Sequence, residues 1–178
     1  MKIHEYQAKG ILAKYGVPVL AGKAASTSAA AAGAAAEIGG TLWVVKSQIH
    51  AGGRGKGRFI EQVSASAIAV ASRGDDAEEG KGGVRLARSI EEVRVAAESM
   101  LGDTLVTKQT GPEGRQVRTV FVESGCEIAR ELYLSVMLDR SRNEILFMAS
   151  TAGGMDIEDV VHSDPDATKK VWVDPAVG

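Results

Sequence analysis

The chain has 178 residues, of which 44% are hydrophobic and 25% are charged, so it can bury a core in one large domain or two small lobes. Its formal charge of −2 and its aromatic content of 4% argue against nucleic-acid binding and against adsorption to anionic membranes. A single cysteine excludes an internal disulfide, no apolar run approaches the ~20 residues that span a bilayer, and the N-terminus lacks signal-peptide features. We therefore expect a cytoplasmic protein.

The first 60 residues predict two helices around a short extended segment. Helical spacing and Gly16 predict an amphipathic helix over residues 3–15, and a proline marks residues 17–20 as extended. An alanine-rich helix is predicted to begin at residues 26–28 and to stop at Gly39. A strand over residues 41–47 follows.

The middle of the chain is less regular. Residues 58–71 fit either a hairpin strand at Phe59 or a short helix over 65–71, and the composition of 75–83 predicts an exposed loop. After a strand at 84–86, Ser89 and Glu92 form a capping-box pattern that predicts a helix from Ile90 to about Leu101. The last third is strand-rich, with predicted strands at 105–109, 116–123, 131–139, 144–150 and 171–173 and a helical turn at 155–161.

A candidate phosphate site lies at residues 43–57, where an apolar strand leads through Lys46 into a loop containing four glycines, Arg54 and Lys56. A buried strand restricts the lysine, while glycines allow backbone N–H groups to approach phosphate oxygens. The alternative is a solvated hairpin loop with incidental basic residues. The position of Lys46 directly before the loop favours a polyphosphate site.

Two acids are candidates for the other end of a nucleotide. Glu123 ends a predicted buried strand and Glu131 begins the next one, so both could accept hydrogen bonds from a base or ribose. The alternative for each is a solvated acid, since carboxylates are seldom buried. Cys126 lies between them and is better explained as a small, partly buried residue than as a nucleophile. Acids at 156, 158 and 159 are better explained as solvated surface than as a metal site.

Several motifs together resemble the N-terminal part of succinyl-CoA synthetase β subunits, and the resemblance covers essentially the whole chain in order. The motifs are IHEYQAK at 3–9, VVKSQIHAGGRGK at 44–56, LVTKQT at 105–110, RELYL at 130–134, LDRS at 138–141 and GGMDIE at 153–158.

The resemblance implies an α+β chain with the ATP-grasp fold, in which a nucleotide is clasped between two lobes. It implies residues 1–20 as an N-terminal helix and strand packing with the second lobe, 21–118 as the first lobe and 119–178 as the start of the second. Phosphate contacts would come from Lys46, Gly53, Arg54 and Gly55. Contacts to the base and ribose would come from Glu123, Cys126 and Glu131.

The resemblance further implies a ligase that forms a thioester from a dicarboxylate, CoA and ATP or GTP, through a phosphohistidine on a partner α subunit. No catalytic residue is then expected in this chain. Family β subunits continue past residue 178 with the magnesium ligands and a C-terminal flavodoxin-like domain, so we expect this chain alone to be inactive. A malate–CoA ligase subunit and a silent nucleotide-binding module are the alternatives. The segment 58–83 is longer than the corresponding segment in the shortest family members, as if a loop were inserted.

Overall fold

The computed structural model describes residues 2–60, 82–154, 160, 162 and 164–177, and it divides the chain into two compact units, Met1–Cys126 and Glu127–Gly178. The helices are α1 (Glu5–Lys14), α2 (Ser28–Ile38) and α3 (Ile90–Glu98). The strands are β1 (Gly22–Ala25), β2 (Trp43–Ser47), β3 (Arg58–Ile60), β4 (Val84–Ala87), β5 (Thr104–Val106), β6 (Arg115–Gln116), β7 (Val120–Ser124), β8 (Tyr133–Asp139), β9 (Glu144–Ser150) and β10 (Thr168–Val173).

The first unit is organised around a four-stranded antiparallel sheet in the order β1-β7-β2-β4. One face is apolar: Val45, Val120 and Val122 are fully buried and belong to the core cluster that also includes residues of α2 and α3. Side chains alternate across a sheet, so Lys46 and Glu123 lie on the opposite face. This alternation places two charged residues on neighbouring central strands.

Both core helices begin at the caps that the sequence predicts. Thr27 Oγ1 accepts the backbone N–H of Ala30 at 3.1 Å, and Ser89 Oγ accepts that of Glu92 at 3.1 Å. The Glu92 carboxylate reaches back to the backbone N–H of Arg88 at 2.7 Å. Helix α2 stops at Gly39, whose positive φ of 73° is a conformation that glycine adopts without strain.

A smaller antiparallel sheet in the order β3-β5-β6 supports the loop that follows β2. Its central residue, Leu105, is fully buried in the same core cluster. A Cβ placed on Gly57, where the loop joins β3, would lie 2.9 Å from Leu105 Cδ1 and 2.9 Å from the Val106 carbonyl oxygen. The loop is therefore packed directly on this sheet.

The second unit is a three-stranded antiparallel sheet in the order β10-β9-β8. Its hairpin turn follows the predicted pattern, with Asp139 opposite Glu144 and with Asn143 at φ 55°. At the turn, Asp139 accepts the indole N–H of Trp172 at 2.9 Å, and the Arg142 guanidinium lies 4.3 Å from the centre of that ring.

Several predictions differ from the structure. The extended segment at 17–20 is not a strand; the strand begins at Gly22 instead. The predicted strand 116–123 is divided into β6 and β7, which belong to different sheets. The first compact unit ends at Cys126 and includes β7, which pairs with β1 and β2; the domain bounds predicted at residues 20 and 118 stay predictions. Helix α1 contacts Lys46 of β2 and Glu123 of β7.

Other predictions lie outside the described residues: the short helix at 65–71, most of the loop at 75–83, most of the helical turn at 155–161 with its acids, and most of the extra length at 58–83. None of the helices in the described part of the chain is long and apolar enough to span a membrane.

Candidate nucleotide-phosphate site

The carboxylate of Glu5, which is not among the predicted site residues, brings Lys46 and Arg54 together. Lys46 lies near the end of β2 and donates to Glu5 Oε1 at 3.0 Å, and Arg54 Nη2 donates to Glu5 Oε2 at 2.6 Å. The side chains of all three are about one-fifth exposed. One carboxylate of α1 thus bridges the strand lysine and the loop arginine.

Glu123 is the second carboxylate of this cluster. Its Oε2 accepts Lys46 Nζ at 2.7 Å, and its Oε1 accepts Lys9 Nζ. Only 2% of its side chain is exposed, and the two lysines are its ion-pair partners in this buried position. Together, Lys9, Lys46 and Arg54 carry three positive charges against two carboxylates, leaving the cluster one positive charge.

The protonation states of the cluster follow from these contacts. Burial by itself would raise the pKa of Glu5, but hydrogen bonds from Arg54 and Lys46 outweigh it and lower that pKa to about 2. Burial by itself would lower the pKa of Lys46, and its hydrogen bonds to Glu123 and Glu5 raise it instead. At neutral pH the acid is ionised and the lysine is charged.

The loop after β2 is fixed by backbone and side-chain hydrogen bonds. Arg54 Nη1 donates to the carbonyl of Ser47 at 2.6 Å, the Gly52 N–H donates to Gln109 Oε1 at 2.7 Å, and the Gly83 N–H donates to the Arg54 carbonyl at 2.8 Å. Gly53 has a φ of 69° and begins a 3-10 turn over Arg54–Lys56. The loop therefore has a defined shape that directs Arg54 toward Glu5.

A close backbone crossing explains the glycines at the start of β4. A Cβ on Gly82 would lie 2.9 Å from the carbonyl carbon of Gly55 and 3.3 Å from the Arg54 carbonyl oxygen. A Cβ on Gly55 itself would meet nothing closer than 4.0 Å, at Val84. The predicted site residue Gly55 thus contributes its backbone to the crossing.

An open cavity of ≈ 350 Å³ lies beside the cluster. Glu5, Arg54, His50 and Gly52 are among its lining residues. The imidazole of His50 is stacked on that of His4, with ring centres 4.0 Å apart. Burial, His50 and Arg54 lower the pKa of His4 below its ordinary value.

The predicted site residues are only partly brought together. Lys46, Arg54 and Glu123 share one cluster, and Gly53 and Gly55 flank Arg54 in the loop. Cys126, which is predicted to be partly buried, is instead an exposed free thiol, because it lies in the irregular segment after β7 at the end of the first unit. Glu131 belongs to the second unit, where it is exposed and packs against the backbone of Gly153 and Gly154.

Glu5 and Lys9 are functional candidates that sequence reasoning missed. Their spacing of four residues places them on one face of α1, and the structure shows them 3.5 Å apart. That spacing was a usable signal for an ion pair. It could not show that the pair faces Lys46, 41 residues away.

The residues described here offer no ready metal site: across 2–60, 82–154, 160, 162 and 164–177, no three His, Cys, Asp or Glu side chains are grouped to hold an ion.

The fold and the strand-lysine-loop site define the class of protein: the chain belongs to the ATP-grasp domain family, whose sequence profile it matches over residues 2–178. It is 57% identical to the β subunit of ADP-forming succinate–CoA ligase from Acidiphilium cryptum and 51% identical to that from Paramagnetospirillum magneticum, over all 178 residues in each case. The corresponding subunit from Caulobacter vibrioides is 52% identical. The chain spans 41% of the length of each of these relatives.

Solved structures support the fold. A dinucleotide-forming acetyl-coenzyme A synthetase from Ca. Korarchaeum cryptofilum, determined with coenzyme A and Ca-AMPCP, matches 84% of this chain and 53% of its own, with a TM-score of 0.51 and 20% identity. Another chain from that organism, determined with coenzyme A, matches 96% of this chain and 59% of its own, with a TM-score of 0.53 and 22% identity. The resemblance predicted from the sequence motifs is confirmed.

Because of the Glu5 ion pairs, the free energy of unfolding depends on pH in the acid range. The folded-state pKa of about 2 lies below the ordinary value of 4.5, so the stabilisation is present above pH 4.5 and is lost as the pH falls toward 2. Lys46, whose pKa is raised by its carboxylate partners, stays charged throughout that range. We expect the free energy of unfolding of the first unit, measured by amide hydrogen exchange, to fall more between pH 5 and pH 3 in the wild type than in Glu5→Gln.

Glu37→Gln is the control, since Glu37 is exposed and pairs only with Lys23 among the described residues. Parallel pH profiles for the wild type and Glu5→Gln would contradict the assignment.

Proposed function

We propose that this chain is the nucleotide-binding part of a succinate–CoA ligase β subunit. The proposed overall reaction converts succinate, CoA and ATP or GTP into succinyl-CoA, ADP or GDP, and phosphate, in the cytoplasm and in the citric acid cycle. The observation that carries the proposal is the convergence of Lys46 and Arg54 at the end of β2, in a chain 51–57% identical to named subunits of that enzyme.

The role proposed for these cations is electrostatic. Phosphoryl transfer demands mainly that the negative charge of the phosphates be neutralised and that the groups be positioned. Lys46 is held by two carboxylates and Arg54 by the Ser47 carbonyl and Glu5, so both charged ends are placed before a ligand arrives. Gly53 and Gly55 are proposed to bring the loop backbone close to phosphate oxygens.

Other parts of the proposal follow from the family. Glu123, Cys126 and Glu131 are proposed to serve the base and ribose end, the phosphohistidine is assigned to a partner α subunit, and the dicarboxylate and CoA bind in the complex. Magnesium is proposed to accompany the nucleotide, with no ligand assigned among the described residues. The chemistry of this chain is therefore binding and orientation of the nucleotide.

Calorimetric titration tests the nucleotide part of the proposal. ATP or GTP is expected to bind this chain, and AMP, which lacks the β- and γ-phosphates, is expected to bind at least about tenfold more weakly, because one charge-assisted contact is worth that much. Equal affinity for AMP and ATP would contradict a polyphosphate site, and binding of none of the three would contradict nucleotide binding.

The acyl substrate is tested in the complex. With an α subunit and a full-length β subunit that carries this chain, succinate is expected to support thioester formation from CoA and nucleotide, measured by absorbance of the thioester. Turnover with malate in place of succinate would reassign the subunit to a malate–CoA ligase.

A further inference from the structure

Helix α1 is attached to the first unit by charge rather than by a buried face. None of its residues is buried. Its contacts with the sheet include the ion pairs of Glu5 with Lys46 and Arg54, the ion pair of Lys9 with Glu123, and the ring of Tyr6, whose centre lies 6.4 Å from that of Phe121. Docking of this helix therefore depends in part on Lys46 and Arg54, the cations of the proposed phosphate site.

Glu5 occupies those cations in the manner of a bound anion. Its two oxygens accept from different cations, Oε1 from Lys46 at 3.0 Å and Oε2 from Arg54 at 2.6 Å. A phosphate group offers the same type of charged oxygen acceptor to the same donors. A carboxylate and a phosphate placed together would repel each other strongly in this partly buried site.

The two carboxylates of the cluster differ in their freedom to leave. Glu123 is 2% exposed on a central strand and is paired with Lys9 as well as Lys46. Glu5 is 20% exposed and is the first residue of a helix with no buried side chain. Displacing Glu5 requires only that its side chain rotate toward solvent, whereas displacing Glu123 would disrupt the sheet.

We propose that Glu5 is the built-in anion of the phosphate site, that a nucleotide phosphate replaces its carboxylate on Lys46 and Arg54, and that polyphosphate binding thereby loosens helix α1. The first part rests on the proposed function, since it takes Lys46 and Arg54 as the phosphate contacts. Coupling of this kind is reciprocal: whatever phosphate does to the docking of α1, docking does to the affinity for phosphate.

The binding test compares Glu5→Gln with the wild type. Glutamine has nearly the same shape as glutamate but carries no charge, so it competes less strongly with a phosphate for Lys46 and Arg54. ATP affinity is therefore expected to rise by about tenfold, the value of one charge-assisted contact. Glu37→Gln, which removes the same charge from the exposed pair with Lys23, is expected to leave the affinity unchanged. A Glu5→Gln affinity equal to or below that of the wild type would overturn the proposal.

The helix test measures amide hydrogen exchange in residues 5–14. Exchange there is expected to rise at least several-fold when the wild type is saturated with ATP or with inorganic tripolyphosphate, and to be high in Glu5→Gln without ligand. Unchanged exchange with bound ATP would overturn the coupling.

The two ligands separate this inference from the proposed function. If ATP binds and Glu5→Gln gains nothing, the inference fails and the proposed function stands. If ATP does not bind but tripolyphosphate still loosens α1, the anion role of Glu5 stands and the nucleotide assignment fails. If neither ligand has an effect on the helix, the inference is wrong.

Discussion

Replacing Lys46 by methionine is expected to weaken ATP binding by on the order of 100-fold, because a hydrogen bond between charged groups contributes about 1.5–3 kcal/mol. The change also removes one of the three cations of the cluster, which leaves Lys9 and Arg54 against Glu5 and Glu123 with no net charge. Methionine keeps the length of the side chain, so the loss reports charge. The measurement is the dissociation constant by calorimetry.

Lys56→Met is the matched control. Lys56 lies in the same glycine loop, ten residues after Lys46, and is exposed. A site that attracts nucleotide by diffuse charge would lose affinity equally in both variants, and both losses would fade together in salt. A specific contact predicts a large loss for Lys46→Met and at most a few-fold loss for Lys56→Met. Equal losses would contradict the assignment of Lys46 to the phosphates.

Local patterns predicted the parts of the site that are close in sequence. The strand ending at Ser47, the glycine loop and its cations could be predicted because an apolar run, a lysine and a set of glycines are adjacent. Helix caps at Thr27 and Ser89 were predicted for the same reason, since each involves residues only three positions apart. The resemblance of the motifs to those of succinyl-CoA synthetase β subunits then predicted the family.

Local sequence patterns could not predict contacts between residues that are far apart in the chain. Glu5 and Lys46 are 41 residues apart, and Lys46 and Glu123 are 77 apart. The apolar spacing of α1 predicts a helix but does not say which surface it meets, and that helix buries no side chain. Its docking follows from ion pairs that exist only once β2 and β7 are neighbours.

The surroundings of Glu123 show how strand order changes the meaning of a residue. Taken as the end of a strand, an acid there is expected to be solvated, or to be kept away from the phosphate cations. Because β7 lies between β1 and β2, the register instead places Glu123 opposite Val44 and its carboxylate against Lys46. Whether Glu123 also serves the base or ribose of a nucleotide stays a prediction.

The position of Glu123 gives the cluster a structural function beside the proposed one. Its buried carboxylate pairs with both Lys46 and Lys9, and Glu5 supplies the second carboxylate beside Lys46. The same pairing limits the motion of the Lys46 side chain. Stability of the sheet and orientation of the proposed phosphate contact are thus supplied by one residue.

Replacing Glu123 by alanine is accordingly expected to destabilise the first unit by about 3–5 kcal/mol, the usual penalty for breaking a buried ion pair from one side. Glu123→Gln keeps the volume and one hydrogen-bond acceptor, so its penalty should be smaller. Glu37→Ala is the control: its pair with Lys23 is exposed, and its removal should change stability by less than about 1 kcal/mol.

Hydrogen exchange is the suitable measurement, because Trp43 and Trp172 lie in different units and their fluorescence would mix two transitions. Amides of β2 and β7 should lose protection in Glu123→Ala, while those of β8 and β9 keep theirs. A loss no larger than that of Glu37→Ala would mean that Lys46 and Lys9 do not need the carboxylate. Loss in both units alike would mean that Glu123 stabilises more of the chain than its own sheet.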